Sequence, residues 1–250
     1  TRDGKVQSDI FTIAPYVSGW VTKLAVQDNQ QVKKGDVIFQ VDVKRYQAVV
    51  DELQAQVRNE TLALELARHE FSRREKLHQS NSVSAEELES SRISADMAEA
   101  SLDLAKANLA SAQIDLERAS ITSPVDGTIV NLTLWEGNYV SQGSPVLSVV
   151  AANSIYVTGY FEETKLPLIH EGQKATITLM SGGKPITGTV KSIGNAIADT
   201  NTSANGQLLP QVQQTFNWVR LAQRVPVDIE LKEIPKDARL VAGMTASIRL

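Results

Sequence analysis

The chain has 250 residues, 42% of them hydrophobic and 22% charged, the make-up of a folded globular protein and not of a disordered or fibrous one. It has no cysteine, which excludes disulfides, thiolate metal sites and a cysteine nucleophile, and its net charge of -4 argues against a nucleic-acid binder, which would carry a basic face. No apolar run reaches the roughly 20 residues that span a bilayer, and the start Thr1-Arg2-Asp3 has no signal-peptide character.

Residues 1–12 stand ahead of the first patterned stretch and are read as a segment of their own. The next stretch, Ile13–Asp42, consists of short apolar-alternating strands with a glycine at each turn, Gly19 and Gly35. It returns without a gap as Ile121–Val150, displaced by 108 positions. Ile13/Ile121, Val17/Val125, Gly19/Gly127, Leu24/Leu132, Val32/Val140, Gly35/Gly143 and Val41/Val149 are identical. A unit of about 30 residues is too small to bury a core alone. Two of them, over 13–43 and 120–150, can form one small β-sandwich.

Between the two copies lies Lys44–Ala119, a stretch without any of the chain's 14 glycines or 8 prolines. Clearing both breakers from so long a segment predicts helix. One interruption, Gln79–Val83, is followed by Ser84-Ala85-Glu86-Glu87, the signature of a capping box. Val83 and Leu88 flank it at staple positions. Two helices follow, 44–79 and 84–119, each on the order of 50 Å long at 1.5 Å per residue. The second carries a strict seam, with Leu88, Ala95, Leu102, Leu109 and Leu116 at every seventh position. Ser91, Ala98, Ala105, Ala112 and Ala119 occupy the other seam line. The first helix answers less regularly with Val50, Leu53, Val57, Leu64, Ala67 and Phe71. A tip of about four residues makes the helices antiparallel neighbours, a long coiled-coil hairpin.

From Ala151 to Leu250 the pattern is of short strands: Ile155–Phe161, Ala175–Leu179, Ile186–Val190, a longer one over Val219–Leu231, and Ala246–Leu250. A short helix fits Glu162–His170, ended by Gly172. Residues 199–214 are polar, turn-rich and expected to be mobile. This composition predicts a small β-barrel, which leaves no free sheet edge. The fold class expected is thus α+β and elongated. A split biotinyl/lipoyl-like β-sandwich is interrupted by the hairpin and followed by the barrel domain at 151–250.

The residues Gly19-x-Val21-x-x-Leu24-x-Val26 and Val32-x-x-Gly35-Asp36-x-Ile38 resemble half of a biotinyl/lipoyl domain. Two such halves split by a hairpin resemble the periplasmic adaptors, or membrane fusion proteins, of bacterial efflux and secretion systems. The stretches Glu162–Leu166 and Trp218–Val227, with Thr1-Arg2-Asp3, are similar to the adaptors of aromatic carboxylic acid exporters. The adaptors of major-facilitator multidrug exporters are the alternative. The resemblance implies a non-enzymatic periplasmic subunit, anchored in the inner membrane by a transmembrane helix ahead of Thr1. It would link an inner-membrane exporter to a TolC-like outer-membrane channel and associate with itself in a ring of three or six. No cofactor is expected. A lipoyl- or biotinyl-type carrier is the rival of a different class. It would need a prosthetic lysine at the turn where the hairpin is inserted; Lys44, the nearest, opens a helix and reads as solvated.

The same resemblance points to a docking motif at the hairpin tip, where Arg73, Leu77 and Ser84 have the spacing by which such adaptors meet their channel. A knob-like leucine with two polar groups can insert between the helices of a tubular partner. Each also has a plainer role: a solvated face for Arg73, the last seam position for Leu77, and the N-cap for Ser84. Trp218, Arg220 and Arg224 alternate with an apolar face on one predicted strand. They suit either an ordinary half-buried strand or a contact surface for the exporter or a neighbouring subunit. Pro226 in that strand marks an edge or a bulge. His69, His78 and His170 lack metal spacing. Glu86/Glu87 and Glu162/Glu163 sit at helix starts, where the dipole favours them. No catalytic or metal-binding constellation is expected.

Overall fold

Alternating short strands around a helix-forming insert dictate an architecture of two units, Ile10–Val150 and a barrel built from Thr1–Asp9 with Ala151–Leu250. The computed structural model describes residues 1–80, 82–195, 202–204, 210–212, 222–233 and 240–250. Its first elements are β1 (Gly4–Gln7), β2 (Ile10–Ile13), β3 (Gly19–Leu24), β4 (Gln31–Val32), β5 (Val37–Val41), α1 (Val43–Gln79) and α2 (Ala85–Arg118). There follow β6 (Ser120–Thr122), β7 (Gly127–Val130), β8 (Tyr139–Val140), β9 (Leu147–Ala151), β10 (Tyr156–Glu162) and a 3-10 helix, Glu163–Leu168. The last are β11 (Lys174–Leu179), β12 (Ile186–Ile193), β13 (Thr202–Ala204), β14 (Pro210–Val212), β15 (Arg224–Glu233) and β16 (Thr245–Arg249).

The repeat governs the first unit. Its strands form two four-stranded sheets, ordered β2-β9-β7-β4 and β6-β5-β3-β8. Displacement by 108 positions carries β3 onto β7, β4 onto β8, and β5 and β2 close to β9 and β6, so one sheet is the repeat image of the other. Each sheet takes two strands from each copy, and neither copy could close by itself. The sheets share one core in which Phe39, Ile38, Ile121, Ile129, Val21, Val41 and Val149 are fully buried. The repeated glycines have two different jobs. Gly35 and Gly143 adopt φ of 90° and 76° in open turns, a region that other residues enter at a cost. Gly127 is needed for space: a Cβ there would lie 2.3 Å from the Val150 carbonyl oxygen.

The hairpin follows the heptad. On α2 all ten predicted seam positions from Leu88 to Ala119 are buried or half-buried, and only Asp115 joins them from the rest of the helix. The α1 seam is longer than its apolar residues suggest. Buried or half-buried positions include Val43, Tyr46, Val50, Leu53, Val57, Glu60, Leu64, Ala67, Phe71, Arg74 and His78, an unbroken alternation of three- and four-residue steps, with Ala55, Glu70 and Ser72 half-buried beside it.

In the second unit, β1-β10-β15-β12-β11-β16 close into a barrel through the β1–β16 pair around Val6, Val157, Ile177, Ile229 and Ile248. Four places differ from the expected elements. The segment 1–12 is not separate: β1 is a barrel strand, while β2 pairs with β9. The helix expected over Glu162–His170 is a single 3-10 stretch containing Pro167, which has no N–H to continue it. Within 199–214, β13 and β14 form an antiparallel ladder, and the other residues of that stretch lie outside the described ones. The long strand expected from Val219 begins, among the described residues, at Arg224.

Candidate functional site

At the tip, the heptad decides which side chains face out. Because Arg74 and His78 take the seam positions, Arg73 and Leu77, each one residue earlier, are turned outward. Leu77 is 42% exposed and is not the last seam residue, a place that belongs to His78. The chain then turns tightly. Ser80 N–H, Ser80 Oγ and Ser82 N–H donate to the Leu77 carbonyl at 3.2, 2.7 and 3.0 Å, satisfying an acceptor that the helix end leaves open.

The seam residues hold this turn in shape from within. His78 Nδ1–H donates to the Val83 carbonyl at 2.8 Å, and Arg74 Nη1 donates to the Glu87 carbonyl at 3.2 Å. Beyond the turn, α2 opens on the predicted capping box. Ser84 Oγ accepts from Glu87 N–H at 3.2 Å and Ser84 N–H donates to Glu87 Oε2 at 3.1 Å. The Ser84 hydroxyl also donates to that carboxylate at 3.0 Å. The Ser84 backbone N–H, and next its hydroxyl, hold the Glu87 carboxyl below the usual carboxylate range. Ser84 therefore caps, its only hydroxyl proton directed into the cap; a partner could reach its remaining lone pair.

Arg73, Leu77 and Ser84 are thus gathered on one helical tip, all exposed. The line they belong to is longer than the motif. Leu62, Leu66, Arg73 and Leu77 follow in steps of four, seven and four along the face of α1 away from the seam; Leu62 and Leu66 are strongly exposed and Leu77 less so. On α2, Ile93, Met97 and Leu104 make a corresponding exposed line. Sequence reasoning missed both stripes. The signal was a second apolar repeat in heptad steps, offset from the seam.

The second set is only partly open to description: Trp218 and Arg220 lie outside the described residues. Arg224, at the start of β15, pairs with Asp3 on the outer side of the barrel. It lines a groove of about 990 Å³ with Tyr160, Glu162, Lys165 and Arg249. The strand is not a barrel edge, because β15 bonds to β10 along Arg224–Glu230 and to β12 along Val227–Glu233. Pro226 falls one residue past the last β12 pair, where its missing N–H breaks no ladder bond. The nearest register shift lies on β12, between Val190 and Ser192.

Among the described residues no group of three His, Asp or Glu could hold a metal ion, and no helix is long and apolar enough to cross a membrane. Lys44 is exposed on the first turn of α1.

Comparison with known proteins places these features. A family model described as the barrel-sandwich hybrid domain of RND membrane fusion proteins matches residues 9–152. A second, the AAEA-like beta-barrel domain, matches residues 154–250. YdhJ, an uncharacterized protein of Escherichia coli (strain K12), is 43% identical over 248 residues, covering 99% of this chain and 87% of its own. The membrane fusion protein Spr0693 of Streptococcus pneumoniae R6 superposes with a TM-score of 0.72 at 17% identity, over 99% of this chain and 96% of the other. MacA of Actinobacillus actinomycetemcomitans gives 0.61 at 24% identity, over 99% and 76%. The chain belongs to the membrane fusion proteins, periplasmic adaptors without enzymatic activity that work with inner-membrane transporters and outer-membrane channels.

Proposed function

We propose that this adaptor docks by its hairpin tip onto a TolC-like outer-membrane channel through Arg73, Leu77 and Ser84, and serves an inner-membrane exporter of aromatic carboxylic acids. The observation that carries the docking reading is the phase of the α1 seam. It commits Arg74 and His78 inward and leaves a cation and a partly exposed leucine one turn apart, beside a capped helix start. The stretches Glu162–Leu166 and Trp218–Val227, similar to the adaptors of aromatic carboxylic acid exporters, support that exporter over a multidrug one. The two sheets are read as a split lipoyl-like sandwich, since each is the repeat image of the other. The strand with Trp218, Arg220 and Arg224 is read as the contact for the exporter or a neighbouring subunit. A transmembrane helix ahead of Thr1 anchors the protein in the inner membrane.

Self-association in a ring belongs to the same reading, and the two outer stripes support it. The Arg68–Glu99 ion pair, 3.1 Å, and the Arg74–Glu87 bond set Leu62 and Leu66 at the height of the Met97–Leu104 segment. The two edges also differ in charge: α1 carries seven Lys+Arg against six Asp+Glu, and α2 three against eight. A head-to-tail contact, α1 of one copy on α2 of the next, matches apolar lines at one level and brings the less acidic edge to the more acidic one.

The test of docking is Leu77→Asp in a strain that depends on this adaptor. Export should be lost while the protein keeps its helical signal and its level in the cell. Undiminished export would remove Leu77 from the docking surface.

A further inference from the structure

The two helices of the hairpin begin in different ways. Helix α2 has a complete capping box and two acidic residues in its first turn. Helix α1 has no acidic residue there, carries Lys44 and Arg45 instead, and its N-cap residue, Asp42, makes no side-chain bond to the helix. Aspartate is among the best capping residues, so its carboxylate is engaged elsewhere. Asp42 Oδ2 accepts from Trp20 N–H at 2.9 Å, and Asp42 N–H donates to the Trp20 carbonyl at 3.0 Å. The residue holds φ 42° and ψ 35° to do so, the left-handed region that aspartate and asparagine enter more readily than most side chains.

Around this pair the neighbourhood is fitted. A Cβ at Gly19 would lie 2.6 Å from Asp42 Oδ2 and 2.8 Å from Val41 Cγ1, so only glycine lets the carboxylate reach the strand. One turn up the helix, the Tyr46 hydroxyl donates to the Ser18 carbonyl at 2.8 Å. Three hydrogen bonds thus tie the first turn of α1 to Ser18–Trp20 of one strand and its approach. Only one residue separates β5 from α1.

We propose that Asp42 is a positioning residue that sets the direction in which the hairpin leaves the two-sheet body, with Tyr46 as its second attachment. The lever is long: α1 of 37 residues extends about 55 Å at 1.5 Å per residue, so a swing of about 10° at its base moves the tip by roughly 10 Å. The sacrifice of the α1 cap is explained by this role. The inference does not depend on what the tip touches.

Three substitutions separate backbone conformation from side-chain bonding. Asp42→Gly keeps the left-handed conformation accessible and removes the acceptor. Asp42→Asn keeps both. Tyr46→Phe removes only the hydroxyl bond. In the cysteine-free chain, spin labels on Lys33→Cys and Gln79→Cys report the distance from body to tip by pulsed electron resonance. Asp42→Gly should broaden that distance distribution about two-fold while far-ultraviolet dichroism keeps its helical signal. Asp42→Asn should restore the parent width, and Tyr46→Phe should broaden it by a smaller amount. An unbroadened distribution in folded Asp42→Gly would overturn the proposal. If that variant does not fold, Tyr46→Phe decides alone, and a parent-like width then overturns it.

Discussion

Truncating two leucines on the same helix tests the phase of the hairpin quantitatively. Leu64 is 6% exposed in the seam, and Leu77, 13 residues on, is 42% exposed on the outer line. At about 0.8 kcal/mol per buried methylene-sized group, Leu64→Ala forgoes roughly 2 kcal/mol of transfer free energy. The void left between two tightly apposed helices raises this to about 3 kcal/mol. Leu77→Ala opens no cavity and removes only part-buried carbon, so its cost is about 1 kcal/mol or less. Guanidinium unfolding followed at 222 nm measures both, and unchanged slopes would show that the unfolding reaction itself is the same. Equal costs at the two positions would mean that Leu77 packs in the seam, and the outward-facing tip on which docking rests would be refuted.

Other consequences are as concrete. Ser84→Ala should cost about 1 kcal/mol and speed hydrogen exchange at the first amides of α2, whereas Ser84→Asp should keep the cap. The Glu87 carboxyl, held low by Ser84, supports the box above the ordinary carboxylate range and loses that support as pH falls through its own lowered value. A carbon-13 titration of Glu87 should therefore show it rising part of the way toward 4.5 in Ser84→Ala, since the backbone N–H bond survives. Gly127→Ala should lower stability by about 3 kcal/mol, the upper end for overpacking, because its Cβ meets backbone. Gly143→Ala, in an open turn at φ 76°, should cost only about 1 kcal/mol, and thermal melts will separate the two. Met97→Glu with Leu104→Glu should weaken self-association in sedimentation at raised protein concentration without loss of helix; unchanged sedimentation would remove the α2 stripe from the contact.

What could be read in advance depended on whether a residue's neighbours are near in sequence. The α2 seam was complete in the sequence because alanine and leucine at every seam position but Ser91 leave one phase. On α1 the same periodicity was masked by Glu60, Arg74 and His78, polar residues at seam positions. At the tip, Arg74 and His78 are tolerated because they bond to carbonyls of the turn and of α2. The duplicated glycine and valine positions announced two equivalent halves, yet not that each sheet would draw strands from both. The strand β1 was overlooked because it has four residues, with only Gly4 and Val6 buried, and its partners lie about 150 and 240 positions away. The tie from Asp42 to Trp20 spans 22 residues and leaves no local pattern. In the candidate site, the trio at the tip was visible as a motif, but its outward orientation followed only from the seam.

The claim that the hairpin tip meets an outer-membrane channel is tested most directly by crosslinking in intact cells. A single cysteine at Ser82, exposed on the tip, in the protein produced in its own cells and with a short bifunctional reagent, should capture the channel protein as a covalent adduct identified by mass. The adduct should disappear when Leu77→Asp is added. Capture of sister copies alone, in a strain where export is intact, would contradict the docking account.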